Sequence, residues 1–215
     1  THVPAGFWRG VNLNQNAIYL ECFMDELAQA AGVDPLQFRL SMMDKYPRHK
    51  AGLEAVAKGI GWGKQGENGV YKGLAQIMGF GSYVAAAAEV SVSDKGAIRV
   101  HRIVAATNPG HVVNPQQVAA QVEGSFVYGL SAALYQACTV KNGRIAEENF
   151  DSYPTMLMAD MPKVESILMP TGDFWGGVGE PTIAVAAPAV LNAIFAATGK
   201  RIRHLPMKNA DLRRA

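Results

Sequence analysis

Val84-Ala85-Ala86-Ala87-Ala88-Glu89-Val90-Ser91-Val92, then Ser93-Asp94-Lys95-Gly96, then Ala97-Ile98-Arg99-Val100-His101-Arg102-Ile103-Val104-Ala105-Ala106 is the stretch that decides the fold. Both flanks are rich in small and β-branched residues, which suit a pleated, buried surface, and the polar Ser-Asp-Lys-Gly between them signals a reversal. The reading is a hairpin with strands at 84–92 and 97–106. Upstream the pattern turns helical: Leu20, Met24, Leu27 and Ala31 recur at helical spacing within residues 15–31, and Gly32 follows as a stop. That spacing predicts an amphipathic helix. Asp34-Pro35 supplies an N-cap and a first-turn proline for a short helix ending near Met43, and residues 50–60 read as a third helix. The glycines at 59, 61, 63, 66, 69 and 73 read as a loop. Downstream, 116–136 is helical, 139–145 is a turn between strands, 164–169 is a strand, 181–198 is a helix and 201–205 is a closing strand. Together these predict an α+β fold, a mixed sheet with packed helices.

Composition narrows the class. The 215 residues are 49% hydrophobic and only 18% charged, which describes a globular chain with room for a sizeable core. A formal charge of +2 gives no reason to expect nucleic acid, and Lys208, Arg213 and Arg214 read as a solvated tail. Cys22 and Cys138 have neither metal-ligand spacing nor the pattern of a disulfide framework, and are expected to be buried thiols. The most apolar stretch, 183–197, is interrupted by Pro188 and Asn192, so no uninterrupted apolar run of membrane-spanning length is expected. The opening Thr1-His2-Val3-Pro4 lacks the basic and apolar regions of a signal peptide. It also lacks an initiator Met, which leaves a fragment or a processed product as readings.

Chemistry points to Gly176-Gly177-Val178-Gly179-Glu180-Pro181. Here one carboxylate sits between a glycine-rich approach, where backbone and ligand can come close, and a proline that opens a long apolar helix. A Glu so placed can accept a proton. It can equally well only complement the helix dipole as a cap, and the residues alone leave both readings open. Other chemistries are set aside. Gly177-Val178-Gly179 lacks the third glycine of a dinucleotide fingerprint, and neither a phosphate loop nor a serine nucleophile elbow is present. His2, His49, His101, His111 and His204 are scattered without metal-ligand spacing. Any hard chemistry must therefore come from a cofactor.

Three segments in order carry a family resemblance: Pro4-Ala5-Gly6-Phe7-Trp8-Arg9-Gly10; then Asn114-Pro115 leading to Gln121-Val122-Glu123-Gly124-Ser125-Phe126; then Gly177-Val178-Gly179-Glu180-Pro181. Phe80-Gly81-Ser82-Tyr83-Val84, Asn149-Phe150-Asp151-Ser152-Tyr153 and the ending 197–206 support it. The chain resembles the C-terminal part of the molybdenum-binding large subunit of the xanthine dehydrogenase and aldehyde oxidase superfamily, on the isoquinoline 1-oxidoreductase and bacterial aldehyde dehydrogenase branch. The resemblance implies the second molybdenum-binding domain of a molybdenum hydroxylase. It implies that Glu180 lies beside the molybdenum and takes a proton from a metal-bound hydroxyl. It places Trp8, Arg9 and Gly10 near the cofactor or substrate pocket, and Gln121, with Gly179, against the pterin. Arg9 pairing with a structural carboxylate, and Gln121 bonding to nearby backbone, remain the alternative readings.

The same resemblance implies molybdopterin cytosine dinucleotide as cofactor, completed by an N-terminal part of the large subunit. It implies a [2Fe-2S] partner protein and a c-type cytochrome beyond it, because this chain has no cysteine set for either centre. The implied reaction oxidises an aldehyde, or hydroxylates an N-heteroaromatic ring, with water as oxygen source. The periplasmic side of a bacterial inner membrane is the implied location. Two departures matter: Val11 stands where purine-oxidising relatives carry Phe, which argues against a purine, and Lys64-Gln65-Gly66 does not match the family's Gly-Gln-Gly stretch. A catalytically silent scaffold of the same fold, and a carbon monoxide oxidising enzyme, are the competing expectations.

Overall fold

Four strands form the central sheet: β1 (Tyr71–Gly79), β2 (Ser82–Val92), β3 (Ile98–Asn108) and, after a crossover, the strand Lys163–Leu168. The computed structural model describes residues 3, 4, 6–64 and 66–213, so Thr1, His2, Ala5, Gln65, Arg214 and Ala215 lie outside the described residues. The first three strands are antiparallel, and Lys163–Leu168 runs parallel to β3 with Arg102 opposite Lys163 and Thr107 opposite Leu168. The predicted hairpin is present, closed by Ser93, whose carbonyl accepts from Gly96 N at 2.8 Å. A small second ribbon pairs β4 (Val140–Lys141) with β5 (Arg144–Ile145); the strand Lys163–Leu168 is β6.

The alanine run of β2 explains the layering. Side chains alternate across a strand, so Ala85 and Ala87 join Leu53, Val56 and Val104 on one face while Ala86 and Ala88 join Phe126, Val190 and Ile194 on the other. Alanine is a good helix former, yet here its small size lets helices approach both faces. One face carries α2 (Pro35–Leu40) and α3 (Pro47–Ile60); the other carries α4 (Pro115–Leu134) and α5 (Ala186–Thr198). Asp34 caps α2 by accepting from Leu36 N and Gln37 N, both at 3.0 Å, and Asn114 caps α4 by accepting from Gln116 N and Gln117 N. The predicted mixed sheet with packed helices is the observed architecture.

Several expectations need correction. The glycine-rich segment reads as a loop through residue 73, but β1 starts at Tyr71 and Gly73 lies inside it. A Cβ on Gly73 would sit 2.2 Å from Ala193 N and 2.4 Å from Ala189 O, so this glycine lets the backbone of α5 rest on the strand. The helix after Glu180 opens as a 3-10 turn, Pro181–Val185, before α5. The expected closing strand at 201–205 has no regular structure. Its side chains turn instead to α1 (Leu13–Ala31): Arg201 pairs with Asp25 at 2.7 Å and Arg203 with Glu26. Contrary to the sequence reading, Pro181–Thr198 is apolar and long enough for a membrane by length and composition, but 78% of it is buried in this protein's own core. It does not present a free face.

The face that α1 turns to the core is not its apolar stripe. Ala17, Glu21, Asp25 and Ala28 are buried, whereas Leu20 is 51% exposed and Leu27 39%. The reason is ionic: Arg39, fully buried, donates from Nε to Glu21 Oε2 at 2.9 Å and from Nη2 to the Glu21 carbonyl at 2.8 Å, and Asp25 lies between Arg39 and Arg201. Burial pushes the Glu21 carboxyl above its usual value, with Arg39 opposing. Of the cysteines, Cys22 is half-buried, its thiol pushed up to about 12 by burial and then by Asp25, while Cys138 is exposed rather than buried.

Candidate functional site

Glu180 ends an irregular segment that leaves the end of β6 and crosses the tip of the β1–β2 hairpin. Its side chain makes no capping bond to the turn that follows. Oε1 instead accepts the backbone N–H of Gly10 at 3.0 Å, so the capping reading gives way to a bond across 170 positions of chain. Only glycine allows that approach: Gly10 has φ +85°, and a Cβ there would lie 2.5 Å from Asn14 Oδ1 and 2.6 Å from Ile183 Cγ2. Val11 follows with φ +48°, a strained conformation for a β-branched residue. Asn14, in the first turn of α1, holds this bend by donating Nδ2 to the carbonyls of Arg9 at 2.8 Å and Val11 at 3.2 Å.

Arg9 ties the other two segments together. Its Nε donates to Gly179 O at 2.6 Å, and Nη2 donates to Ser125 Oγ at 2.9 Å, Gln121 Oε1 at 3.1 Å and Gln121 O at 3.3 Å. No carboxylate partners it among the described residues, so the structural ion pair held open by the sequence is absent. Gln121 uses its carbonyl oxygen toward Arg9, not toward nearby backbone. Trp8 stacks on Tyr128 of α4 with ring centroids 5.2 Å apart, and the Arg9 guanidinium lies 5.8 Å from the same tyrosine ring. Beneath the clamp, Thr182 Oγ1 donates to Ser125 Oγ at 2.8 Å, and Ser125 Oγ donates to Gln121 O at 2.7 Å.

Trp8, Arg9, Gly10, Gln121, Gly179 and Glu180 therefore lie in one contiguous arrangement. Ser125, Thr182 and Asn14 complete it, and none of these is singled out by the sequence. Ser125 could have been, since positions 121 and 125 share one helix face. Among the described residues neither Glu180 Oε2 nor Gln121 Nε2 has a hydrogen-bond partner. Space is open at Gly179, where a Cβ would meet only Gln121 Oε1, at 3.8 Å. Gly176 is different. Its missing Cβ would strike Ser82 Oγ at 2.3 Å, so this glycine serves packing on the β1–β2 turn rather than a ligand.

The described histidines do not converge. His49 bonds to Gln76 Oε1 at 3.2 Å, its imidazole held below the usual value by burial; His101 bonds to Ser91 Oγ at 2.7 Å; His111 lies against Trp175. Among the described residues no group of three or more His, Cys, Asp or Glu side chains could hold a metal ion. The site offers, among the described residues, one carboxylate oxygen and one amide donor without partners and open space at Gly179, which suits a cofactor that brings its own metal ligands.

Residues 10–162 match the molybdopterin cofactor-binding domain family. The chain is 31% identical to the membrane-bound aldehyde dehydrogenase [pyrroloquinoline-quinone] of Gluconacetobacter polyoxogenes, over 97% of this chain and 30% of that protein. It is 31% identical to the beta subunit of isoquinoline 1-oxidoreductase from Brevundimonas diminuta, over 97% of this chain and 27% of that protein. Against a nicotinate dehydrogenase subunit of Pseudomonas putida it is 31% identical over 99% of this chain and 20% of that protein. The chain thus spans less than a third of the length of these curated relatives. Among solved structures, the aldehyde oxidoreductase of Desulfovibrio gigas shares the fold with a TM-score of 0.70 at 15% identity, over 93% of this chain and 40% of that one. With the match covering well over half its length, the chain belongs to the molybdopterin cofactor-binding domain family.

Proposed function

We propose that this chain supplies the proton-accepting carboxylate and part of the cofactor cradle of a molybdenum hydroxylase that oxidises an aldehyde or hydroxylates an N-heteroaromatic ring. Balanced for an aldehyde, water contributes the new oxygen, two electrons leave to an acceptor and two protons are released. The observation that carries the reading is the joint placement of Glu180 and the Arg9–Gln121–Gly179 clamp beside open space. Gln121 Nε2 is the free donor for a pterin edge, and Arg9 fixes Gln121 and Gly179 as the two walls of that space. When bound, the molybdenum centre supplies a two-electron acceptor and the Lewis acidity that makes water nucleophilic near neutral pH. Glu180 Oε2 accepts the proton, while the Gly10 N–H on Oε1 fixes the direction in which Oε2 points.

The cofactor of this reading is molybdopterin cytosine dinucleotide, enclosed jointly with an N-terminal part of the large subunit. Electrons pass to a [2Fe-2S] protein of the same complex and onward to a c-type cytochrome, on the periplasmic side of a bacterial inner membrane. The test is the intact complex purified with its neighbouring subunits. Stoichiometric molybdenum, and turnover of an aldehyde or heteroaromatic panel with an artificial electron acceptor, are the expected results. Glu180→Gln keeps the metal and lowers turnover by about two to four orders of magnitude, the usual contribution of a positioned acid or base. Complex that holds pyrroloquinoline quinone and no molybdenum, copper alongside molybdenum, or a Glu180→Gln variant as active as the wild type, overturns the proposal.

A further inference from the structure

The bend that aims Gly10 N at Glu180 is made of backbone that does not hold its shape unaided. Gly10 and Val11 have φ +85° and +48° in succession, and the second of these is unfavourable for a β-branched residue. The φ torsion of Val11 joins the Gly10 peptide to the chain that leads into α1. Relaxing it to the right-handed value of about −60° is a rotation of roughly 110°, which carries Gly10 N and the Arg9 side chain away from Glu180 and Gly179 together.

Asn14 opposes that relaxation. Its Nδ2 donates to Arg9 O at 2.8 Å and to Val11 O at 3.2 Å, the two carbonyls that bracket Gly10. The other carbonyls of the bend are taken by backbone, Trp8 O accepting from Val11 N at 2.8 Å and Gly10 O from Leu13 N at 3.0 Å. The far end of the same carboxamide shows that this orientation has a cost: among the described residues Oδ1 is buried without a hydrogen-bond partner, and a Cβ on Gly10 would stand 2.5 Å from it. A buried acceptor left unpaired is destabilising, so the amide is held for its donor end. Asn14 is itself well anchored. It lies in the first turn of α1, next to Leu13, whose Cδ2 would be 2.3 Å from a Cβ on Gly79 at the end of β1, and farther along the helix Glu21 is paired with Arg39. The bend is thus fastened through Asn14 to a helix that rests on the central sheet.

We infer that Asn14 is a positioning residue of the Glu180 site, fixing through the Arg9–Val11 bend the direction in which the carboxylate presents its second oxygen. This rests on the proposed function, in which Glu180 accepts a proton, and adds the residue that aims it. The test compares Asn14→Asp, Asn14→Ala, Asn12→Ala and Glu180→Gln in the intact complex with its molybdenum content measured. Asn14→Asp keeps the shape of the side chain and replaces the donating nitrogen by oxygen, while an acidic residue in the first turn favours α1 itself, so the bend is perturbed and the helix is not. Asn14→Ala removes the donor without adding a charge. Asn12 is exposed and makes no capping bond, so Asn12→Ala controls for a general disturbance of the helix start. Turnover per molybdenum falls about ten- to a hundredfold in both Asn14 variants, the loss expected when a reacting group is misplaced by about an ångström, and KM is nearly unchanged because the carboxylate acts on the proton and not on substrate binding. A second readout needs no turnover: hydrogen exchange of the Gly10 amide, protected in the wild type by Glu180 Oε1, becomes about tenfold faster, the scale of one lost hydrogen bond. Asn12→Ala matches the wild type in both. Wild-type kcat or unchanged Gly10 exchange in the Asn14 variants, a loss confined to KM, or an equal loss in Asn12→Ala each overturns the positioning role, and an inactive Glu180→Gln beside them leaves the proposed function standing. Wild-type turnover in Glu180→Gln, or a complex without molybdenum, overturns the proposed function and the positioning role with it.

Discussion

Replacing Arg39 by Met tests the charged inner face of α1. Arg39 is fully buried, and its removal strands Glu21 and deprives Asp25 of one of two cationic neighbours; the two carboxylates are 3% and 5% exposed. Breaking one partner of a buried pair costs about 3–5 kcal/mol, because the charge left behind keeps its desolvation penalty. Three donated bonds also disappear, to Glu21 Oε2, Glu21 O and Pro35 O, which places Arg39→Met at the upper end of that range. Glu21→Gln behaves differently. Burial raises the Glu21 carboxyl above its usual value against the opposing Arg39, and in this variant a neutral amide oxygen can still accept from Arg39 Nε while Asp25, 4.0 Å from Arg39, still faces the guanidinium. Its cost is about 1–3 kcal/mol, because the hydrogen bond to Arg39 persists with a neutral acceptor while the desolvation of the carboxylate is relieved. Urea unfolding of both variants, with α1 helicity followed by hydrogen exchange, measures the difference. Equal midpoints for Arg39→Met and wild type, or a larger loss in Glu21→Gln than in Arg39→Met, would refute the account of a charge-driven inner face.

Gly73→Ala drives a Cβ into the backbone of α5 at Ala193 N and Ala189 O; a loss of at least about 3 kcal/mol in thermal or urea unfolding is expected, and a loss below about 1 kcal/mol would show that α5 can shift freely. Glu165 is held down to about 2, first by its hydrogen bonds from Arg102, then by Lys163. Its contribution to stability is therefore complete above its ordinary value of 4.5 and is lost as pH falls from there through about 2. Glu165→Gln flattens the stability profile in that window and nowhere else; because the pair is largely solvated, the effect shrinks with added salt.

Local signals carry the hairpin. Small and β-branched residues on both flanks, Val84, Val90, Val100 and Ile103 among them, enclose a turn of Ser, Asp, Lys and Gly, and the whole pattern lies within one continuous stretch of chain. Gly73 escapes a sequence reading because its reason lies in Ala189 and Ala193, far along the chain, and nothing near it says strand. The buried face of α1 is hidden from the sequence for a different cause: Glu21 and Asp25 look like surface residues until Arg39 and Arg201, which arrive from α2 and the end of the chain, make their burial tolerable. Arg203, reaching out to Glu26, likewise pulls its segment away from a strand. At the site, Glu180, Arg9 and Gln121 are readable as motif positions, whereas the reason Gly10 must be glycine appears only with Asn14 and Ile183 beside it.

The clamp and the carboxylate are coupled through one short piece of backbone, and that coupling explains why the motif residues occur together. Arg9 and Gly10 are adjacent, as are Gly179 and Glu180. Arg9 Nε holds Gly179 O while Gly10 N holds Glu180 Oε1, so two successive residues of one segment grip two successive residues of the other. Moving either partner by a bond length would weaken both contacts, and the strained Val11 fixes the angle at which the gripping segment turns into α1. The grip uses one carboxylate oxygen, and it fixes the direction of Glu180 while the second oxygen has no hydrogen-bond partner among the described residues.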